Sequence, residues 1–256
     1  MFATAKFPTP VLNTPRFHEV FGGEDGLSLP LDEQGLLRAA ETVAFPGTKF
    51  QLLEKCEEYV FRVKSNDYPG EDLFVDERFL LPAHEETPDR MRKLPDEQEI
   101  LKTLKDQVGL AYVWGGNWFG IPEMLQFYPP RKALDEKSLL TWTFQGLDCS
   151  GLLYLATAGC TPRNTSQLVG FGRSLAIQNK SPREIQSLVK PLDMIVWTGH
   201  VIIVLDGEKT IESRLGHGVV ISPLVSRLQE VIDIHKKTPI NRWTPGSNHF
   251  VINRWI

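Results

Sequence analysis

The alternation of apolar and polar residues changes character along the chain. The first 45 residues are rich in Pro and Gly and only weakly periodic, which predicts loops with short strands; Leu36 to Val43 reads as a brief helix or strand. From Thr48 to Leu81 a period of two takes over. Phe50 and Leu52, then Tyr59, Phe61 and Val63, alternate with polar partners, and Asn66 to Gly70 forms a turn cluster. Short apolar runs follow at Leu73–Val75 and Phe79–Leu81, so this part predicts a small β-barrel or sandwich. The charged, proline-bearing stretch from Pro82 to Pro95 reads as a linker. Past it, Pro95, Asp96, Glu97 and Glu99 suit a helix start, Ile100, Leu101, Leu104 and Val108 form one stripe, and Gly109 stops it.

Ala111 to Gly116 reads as an aromatic strand end with paired glycines. The 31 residues from Asn117 to Leu147 show no clear period and predict a lid or a wall of a site. Gly146 to Gly151 then leads into Leu152, Leu153, Leu155 and Ala156, a buried helix stopped at Gly159. After Pro191 come two apolar strands, a tight turn at Asp206 to Glu208, the strand KTIESR, a helix from Pro223 to about Val231, and an edge strand HFVINRWI. A helix followed by antiparallel strands is an α+β pattern. The linker divides the chain into a barrel domain, residues 1–90, and a second domain, residues 91–256.

Composition narrows the function classes. The 256 residues are 41% apolar and 23% charged, the range of a globular protein, and disorder, collagen-like repeats and coiled coil are excluded. The net charge of −4 speaks against nonspecific binding to nucleic acid or an anionic membrane. No stretch approaches the ~20 apolar residues of a membrane span, and the N-terminus lacks the apolar run of roughly 7–15 residues of a secretory signal, so a cytoplasmic location is expected. Three scattered cysteines make no disulfide framework; Cys56 and Cys160 read as small buried residues. His18, His84, His235 and His249 lack ligand spacing, so neither a metal nor a cofactor is expected. The oligomeric state is not legible.

The candidate chemistry centres on Cys149, in the first turn of the helix, where unpaired N–H groups and the positive dipole end favour negative charge on sulfur. Its own N–H is a candidate oxyanion donor. His200 starts an apolar strand and suits a base that later protonates a leaving amine. Glu212 is the candidate to orient it. If Leu205 faces Lys209 across a three-residue turn, Ile202 faces Glu212, and residues 200 and 212 share one face of the hairpin. His217, between two glycines, is the competing orienter. Trp142 either lines the site or packs.

Tyr112-x-Trp114-Gly115-Gly116, Asp148-Cys149-Ser150-Gly151, Pro162-Arg163, Leu192-Asp193 and Gly199-His200-Val201 together resemble the NlpC family of papain-like cell-wall cysteine endopeptidases. The match runs from about Asp96 to Ile221, and residues 1–90 resemble the bacterial SH3-like domains that precede such peptidases. The resemblance implies a helix bearing the cysteine packed on an antiparallel sheet, and hydrolysis of the bond between γ-D-glutamate and meso-diaminopimelate in a peptidoglycan-derived peptide. It makes Cys149 the nucleophile and His200 the base, with Glu212 where the family usually has a second histidine. It assigns Asp148 and Ser150, with Tyr112, Trp114, Arg163, Asn164 and Thr165, to substrate binding, and points to Glu33 and Tyr68 for a free L-alanine amine. The alternatives are a thiol acyltransferase or amidase and an inactive peptide-binding module.

Overall fold

A computed structural model of the chain describes residues 1–245 and 248–256. The chain divides into two compact units, and neither is continuous: residues 1–92 with 113–151, and residues 93–112 with 152–256. Both are built on antiparallel sheets with short helices, an α+β architecture.

The first unit holds β1 (Phe2–Ala5), β2 (Thr9–Leu12), β3 (Ala40–Ala44), β4 (Lys49–Lys55), β5 (Val60–Ser65), β6 (Leu73–Asp76) and β7 (Leu80–Ala83). They form one sheet in the order β3-β2-β6-β5-β4-β1-β7, every described pair antiparallel. The residues that alternate in the sequence supply one core: Phe50 and Val63 are buried with Ala3, Val11 and Val75. Residues 36–43 resolve as a strand beginning at Ala40.

Two expectations need correcting in this unit. The stretch from Pro82 to Pro95 is not a free linker. Pro82 and Ala83 lie in β7, and Asp67 then gathers Thr48 Oγ1 at 3.0 Å, Arg90 Nε at 2.6 Å and Arg92, while Lys49 N donates to Asp89 at 3.0 Å. Two of the charges that look like solvation in the sequence, Arg90 and Arg92, are partners of one aspartate whose side chain is buried. The segment from 113 onward, placed by sequence with the second domain, clusters with residues 1–92 instead. The reason is local. The Asn117 side chain mimics a strand residue, donating to Val43 O at 2.8 Å and accepting from Val43 N at 2.8 Å and Thr42 Oγ1 at 2.9 Å.

Residues 111–114 form no strand; the chain turns at Trp114–Gly115, closed by Gly116 N on Val113 O, and the strand is β8 (Asn117–Phe119), paired with β9 (Gln145–Leu147). Between them lie the helices Glu123–Phe127 and Glu136–Trp142. Ile121, Met124, Trp142 and Phe144 are buried in a common core with Leu12, Phe17, Phe21 and Phe79. Trp142 therefore packs, its Nε1 donating to Tyr128 O at 2.9 Å. This segment is a folded part of the core rather than a loose lid.

The second unit carries β10 (Arg173–Ser174), β11 (Met194–Trp197), β12 (His200–Val204), β13 (Lys209–Arg214), β14 (Gly218–Pro223), β15 (Thr238–Pro239) and β16 (His249–Arg254). Its order is β10-β16-β11-β12-β13-β14, with β15 parallel to β16. β16 is thus not the edge strand that its polar residues suggest. Asn253 Nδ2 donates to Leu168 O and Val169 O, and Arg254 pairs with Asp193. The helix Glu97–Asp106 starts on Asp96, whose side chain accepts from Glu99 N. The helix Leu224–Asp233 buries Leu224, Leu228 and Val231 with Ile202, Val204 and Phe250. Cys56, expected to be buried, is exposed where β4 turns into β5, and Cys160 is half-buried. No helix among the described residues is long and apolar enough to cross a membrane.

Candidate active site

The cysteine-bearing corner belongs to the first unit. β9 runs directly into Asp148, which stands as the N-cap of the helix Cys149–Ala156. Asp148 N donates to Gly116 O at 2.9 Å. Its Oδ1 accepts from Gly151 N at 2.7 Å and Ser150 Oγ at 3.2 Å, and its Oδ2 from Gly115 N at 3.1 Å. One carboxylate therefore joins the paired glycines to the first helical turn. Gly151 is required by close approach: a Cβ there would lie 2.0 Å from Gly116 O. The spacing of glycines around Asp148 and Cys149 is thus set by backbone packed against backbone. Cys149, 6% exposed, presents its sulfur from the first turn, where the helix N–H groups have no intrahelical acceptors.

Trp114 is half-buried, with Nε1 donating to Ala40 O at 3.0 Å and the Arg38 guanidinium 4.1 Å above its ring. Tyr68 is buried and its hydroxyl donates to Glu41 Oε2 at 2.5 Å; Asn13 Nδ2 donates to Glu41 Oε1 at 2.8 Å. Glu33 takes no part in this cluster. It is exposed in a turn closed by Gly35 N on Asp32 O, and the acid that Tyr68 holds is Glu41. Glu41 escaped the sequence reading because an acidic residue on a short strand reads as solvated.

The histidine lies in the second unit. β11 and β12 are joined through Thr198 and Gly199, and Gly199 takes φ +105°, a left-handed conformation that favours glycine. Gly199 N donates to Thr165 Oγ1 at 2.9 Å, so Thr165 holds the turn that delivers His200. Asn164 precedes the helix Thr165–Leu168, Arg163 is buried, and Tyr112 is half-buried. The hairpin pairs Ile203 with Ile211 and Val204 with Thr210, and Leu205 N donates to Lys209 O. His200 Nε2 consequently meets Glu212 Oε2 at 2.6 Å. His217 is exposed, its Nδ1 facing Leu215 O at 3.2 Å, and is not the partner in that contact.

Glu212 is 1% exposed and has a second partner that sequence reasoning missed. Arg227, 2% exposed, donates from Nε to Oε1 at 2.5 Å and from Nη2 to Oε2 at 2.8 Å. The available signal was an arginine on the apolar face of a helix, three residues after Leu224 and four before Val231. Burial pushes the Glu212 carboxyl up, but hydrogen bonds from His200 and Arg227 and their charges outweigh it and bring it down to about 2. Glu212 is therefore an ionised acceptor, and His200 Nε2 must carry the proton in their bond. In the neutral ring the lone pair then lies on Nδ1.

A carboxyl lowered from 4.5 to about 2 stabilises the fold fully above pH 4.5, and that share is lost as the pH falls toward 2. The loss amounts to about 3 kcal/mol. Urea midpoints measured from pH 6 down to pH 2 are expected to fall most steeply below pH 4.5, and Glu212→Gln is expected to flatten that decline.

No family model matches the chain, and no curated protein matches it in sequence. In structure it is similar to NlpC/P60 family proteins. One is such a protein from Bacillus cereus, 17% identical, covering 99% of this chain and 63% of that one, with a TM-score of 0.37. Another is NlpC1 from Trichomonas vaginalis, 12% identical, covering 100% and 69%, with a TM-score of 0.38. A third is RipD from Mycobacterium tuberculosis, described as a non-catalytic domain protein adapted to peptidoglycan binding, 21% identical, covering 50% and 86%, with a TM-score of 0.35. The chain spans less than two-thirds of the length of the first.

Proposed function

We propose that the protein is a cysteine endopeptidase that hydrolyses the γ-D-glutamyl–meso-diaminopimelate bond of short peptidoglycan-derived peptides with a free N-terminal L-alanine. The observation that carries this reading is the 2.6 Å bond between His200 Nε2 and an ionised, buried Glu212. It fixes the tautomer a thiol peptidase needs.

In this reading His200 Nδ1 takes the Cys149 proton, and the sulfur attacks the γ-carbonyl carbon of the glutamyl residue. The negative oxygen of the tetrahedral intermediate is met by the Cys149 N–H at the helix start. Collapse breaks the C–N bond, and the imidazolium proton goes to the departing amine of diaminopimelate. Water, deprotonated by His200, then attacks the thioester and releases the thiol. Glu212 keeps its charge throughout and favours the imidazolium that forms twice in the cycle.

The Glu41–Tyr68 pair and Asp148 supply negative and hydroxyl groups suited to an ammonium, and Ser150 adds a hydroxyl beside Asp148. Trp114, Tyr112, Arg163, Asn164 and Thr165 are assigned to peptide contact or its support. The seven-stranded sheet is read as the SH3-like part. The net charge of −4 favours a soluble small peptide over an anionic wall polymer, and the reading places the enzyme in the cytoplasm, in murein peptide recycling.

The deciding experiment compares the free tripeptide L-Ala-γ-D-Glu-meso-diaminopimelate, its N-acetyl form and intact sacculi, with release of diaminopimelate followed by chromatography. The free tripeptide is expected to be cleaved, and the N-acetyl form about 10- to 100-fold less efficiently, because its nitrogen can no longer be charged. Digestion of sacculi, or failure to cleave any of the three, would overturn the reading.

A further inference from the structure

Arg227 has no part in the chemistry described so far, yet it is among the largest fully buried side chains. A buried guanidinium is costly without partners, and the helix that carries it could place an apolar residue there. Its fork instead closes on both oxygens of Glu212. Two parallel donors fix the plane of a carboxylate as a single donor cannot. Glu212 Oε2 is then shared between Arg227 Nη2 and His200 Nε2.

We propose that Arg227 is a positioning residue for the catalytic pair: its fork locks the Glu212 plane that aims the His200 ring and offsets part of the carboxylate charge, so that the ring can be a neutral base. This rests on the reading of His200 as the base.

The charge balance can be followed outward from His200. On β13 it meets Glu212, and behind that carboxylate stands Arg227. Glu230, one turn further along the same helix, pairs with Arg227 Nη1 at 3.1 Å and with Arg214 Nη1 of β13 at 3.1 Å, so it is shared by two cations. His235, beyond the helix end, brings Nε2 to 3.4 Å from Arg227 Nη1. Burial first, then the Arg227 charge, holds the His235 pKa down. The Trp197 ring neighbours both histidines, 5.2 Å from His200 and 5.9 Å from His235. With Arg227 removed, His200 would be the one cation in contact with Glu212 among the described residues. The pair would then favour imidazolium, which cannot accept the thiol proton.

The test follows the ring of His200 by NMR in Cys149→Ala protein, so that sulfur ionisation does not enter. It is paired with pH profiles of peptide hydrolysis in proteins that keep Cys149. Arg227→Gln is expected to move the His200 titration to higher pH and to carry the acidic limb of kcat/KM with it, an activity loss of about tenfold or more at pH 6.5 that shrinks at pH 8.5. Arg227→Lys keeps the charge but not the fork. It is expected to leave the titration near that of the parent while kcat falls about three- to tenfold at unchanged KM.

A folded Arg227→Gln protein with an unmoved His200 titration overturns the proposal, as does an Arg227→Lys protein with full kcat. If Arg227→Gln does not fold, the Arg227→Lys kinetics and titration decide alone. The ring titration needs no substrate. A parent protein that cleaves no peptide therefore defeats the peptidase reading, while the titration still judges Arg227.

Discussion

Cys149→Ala is expected to abolish cleavage of the tripeptide, lowering kcat/KM by at least about 10⁴-fold, and to leave the fold intact. The two halves of this expectation have separate causes. Hydrolysis through a thioester has no route once the sulfur is gone, and the residual groups can only bind and polarise. Stability is expected to change by about 1 kcal/mol or less, because one atom of a small side chain is removed and the helix start is held by other bonds. Asp148 caps Gly151 and ties down Gly115, and neither bond involves the sulfur. Chromatographic assay and a urea melt on the same preparation check both halves. Turnover by the variant would move the nucleophile elsewhere, and loss of the native melt would make the activity result uninformative about chemistry.

Glu212→Ala is expected to act on stability as strongly as on rate. Truncation leaves the Arg227 guanidinium buried with Glu230 as its remaining carboxylate partner among the described residues, and deprives His200 of the acceptor for Nε2. Breaking a buried pair from one side costs about 3–5 kcal/mol. Loss of the orienting acid costs about 10⁴-fold in kcat in enzymes of this logic. Glu212→Gln is milder in volume but puts an amide N–H₂ opposite donors, so one contact must be lost. Equilibrium unfolding of both variants measures the first effect. A Glu212→Ala protein within about 1 kcal/mol of the parent would show that the ion pair contributes little.

How far the sequence could be read depended on the range of the signal. The hairpin register around Asp206 was legible because a tight turn and a period of two leave few choices, and the observed pairing of Ile203 with Ile211 has that register. The helix at Asp96 was legible through its cap. Asn117 and Val43, 74 residues apart, were not, since no local pattern marks a side-chain amide that pairs like backbone. Arg227 and Asp67 were hidden for another reason. A charge in a sequence is read as solvated by default, and both side chains are buried because other charges meet them. The segment after Asn117 lacked a period because it is divided among two short helices and two short strands.

The path of the chain constrains how such a protein can be recombined. It leaves the first unit after residue 92, builds residues 93–112 into the second, returns for 113–151, and leaves again. A single cut at the proline-rich stretch therefore frees no self-sufficient module. It would separate Phe17, Phe21 and Leu12 from Ile121, Met124, Trp142 and Phe144, which share one core. A gene fragment carrying only the sheet of residues 1–92 would expose that apolar set, and the complementary fragment would carry its orphaned half. The ancestry of this arrangement is then better sought among chains that inherited both segments together than among interchangeable cassettes.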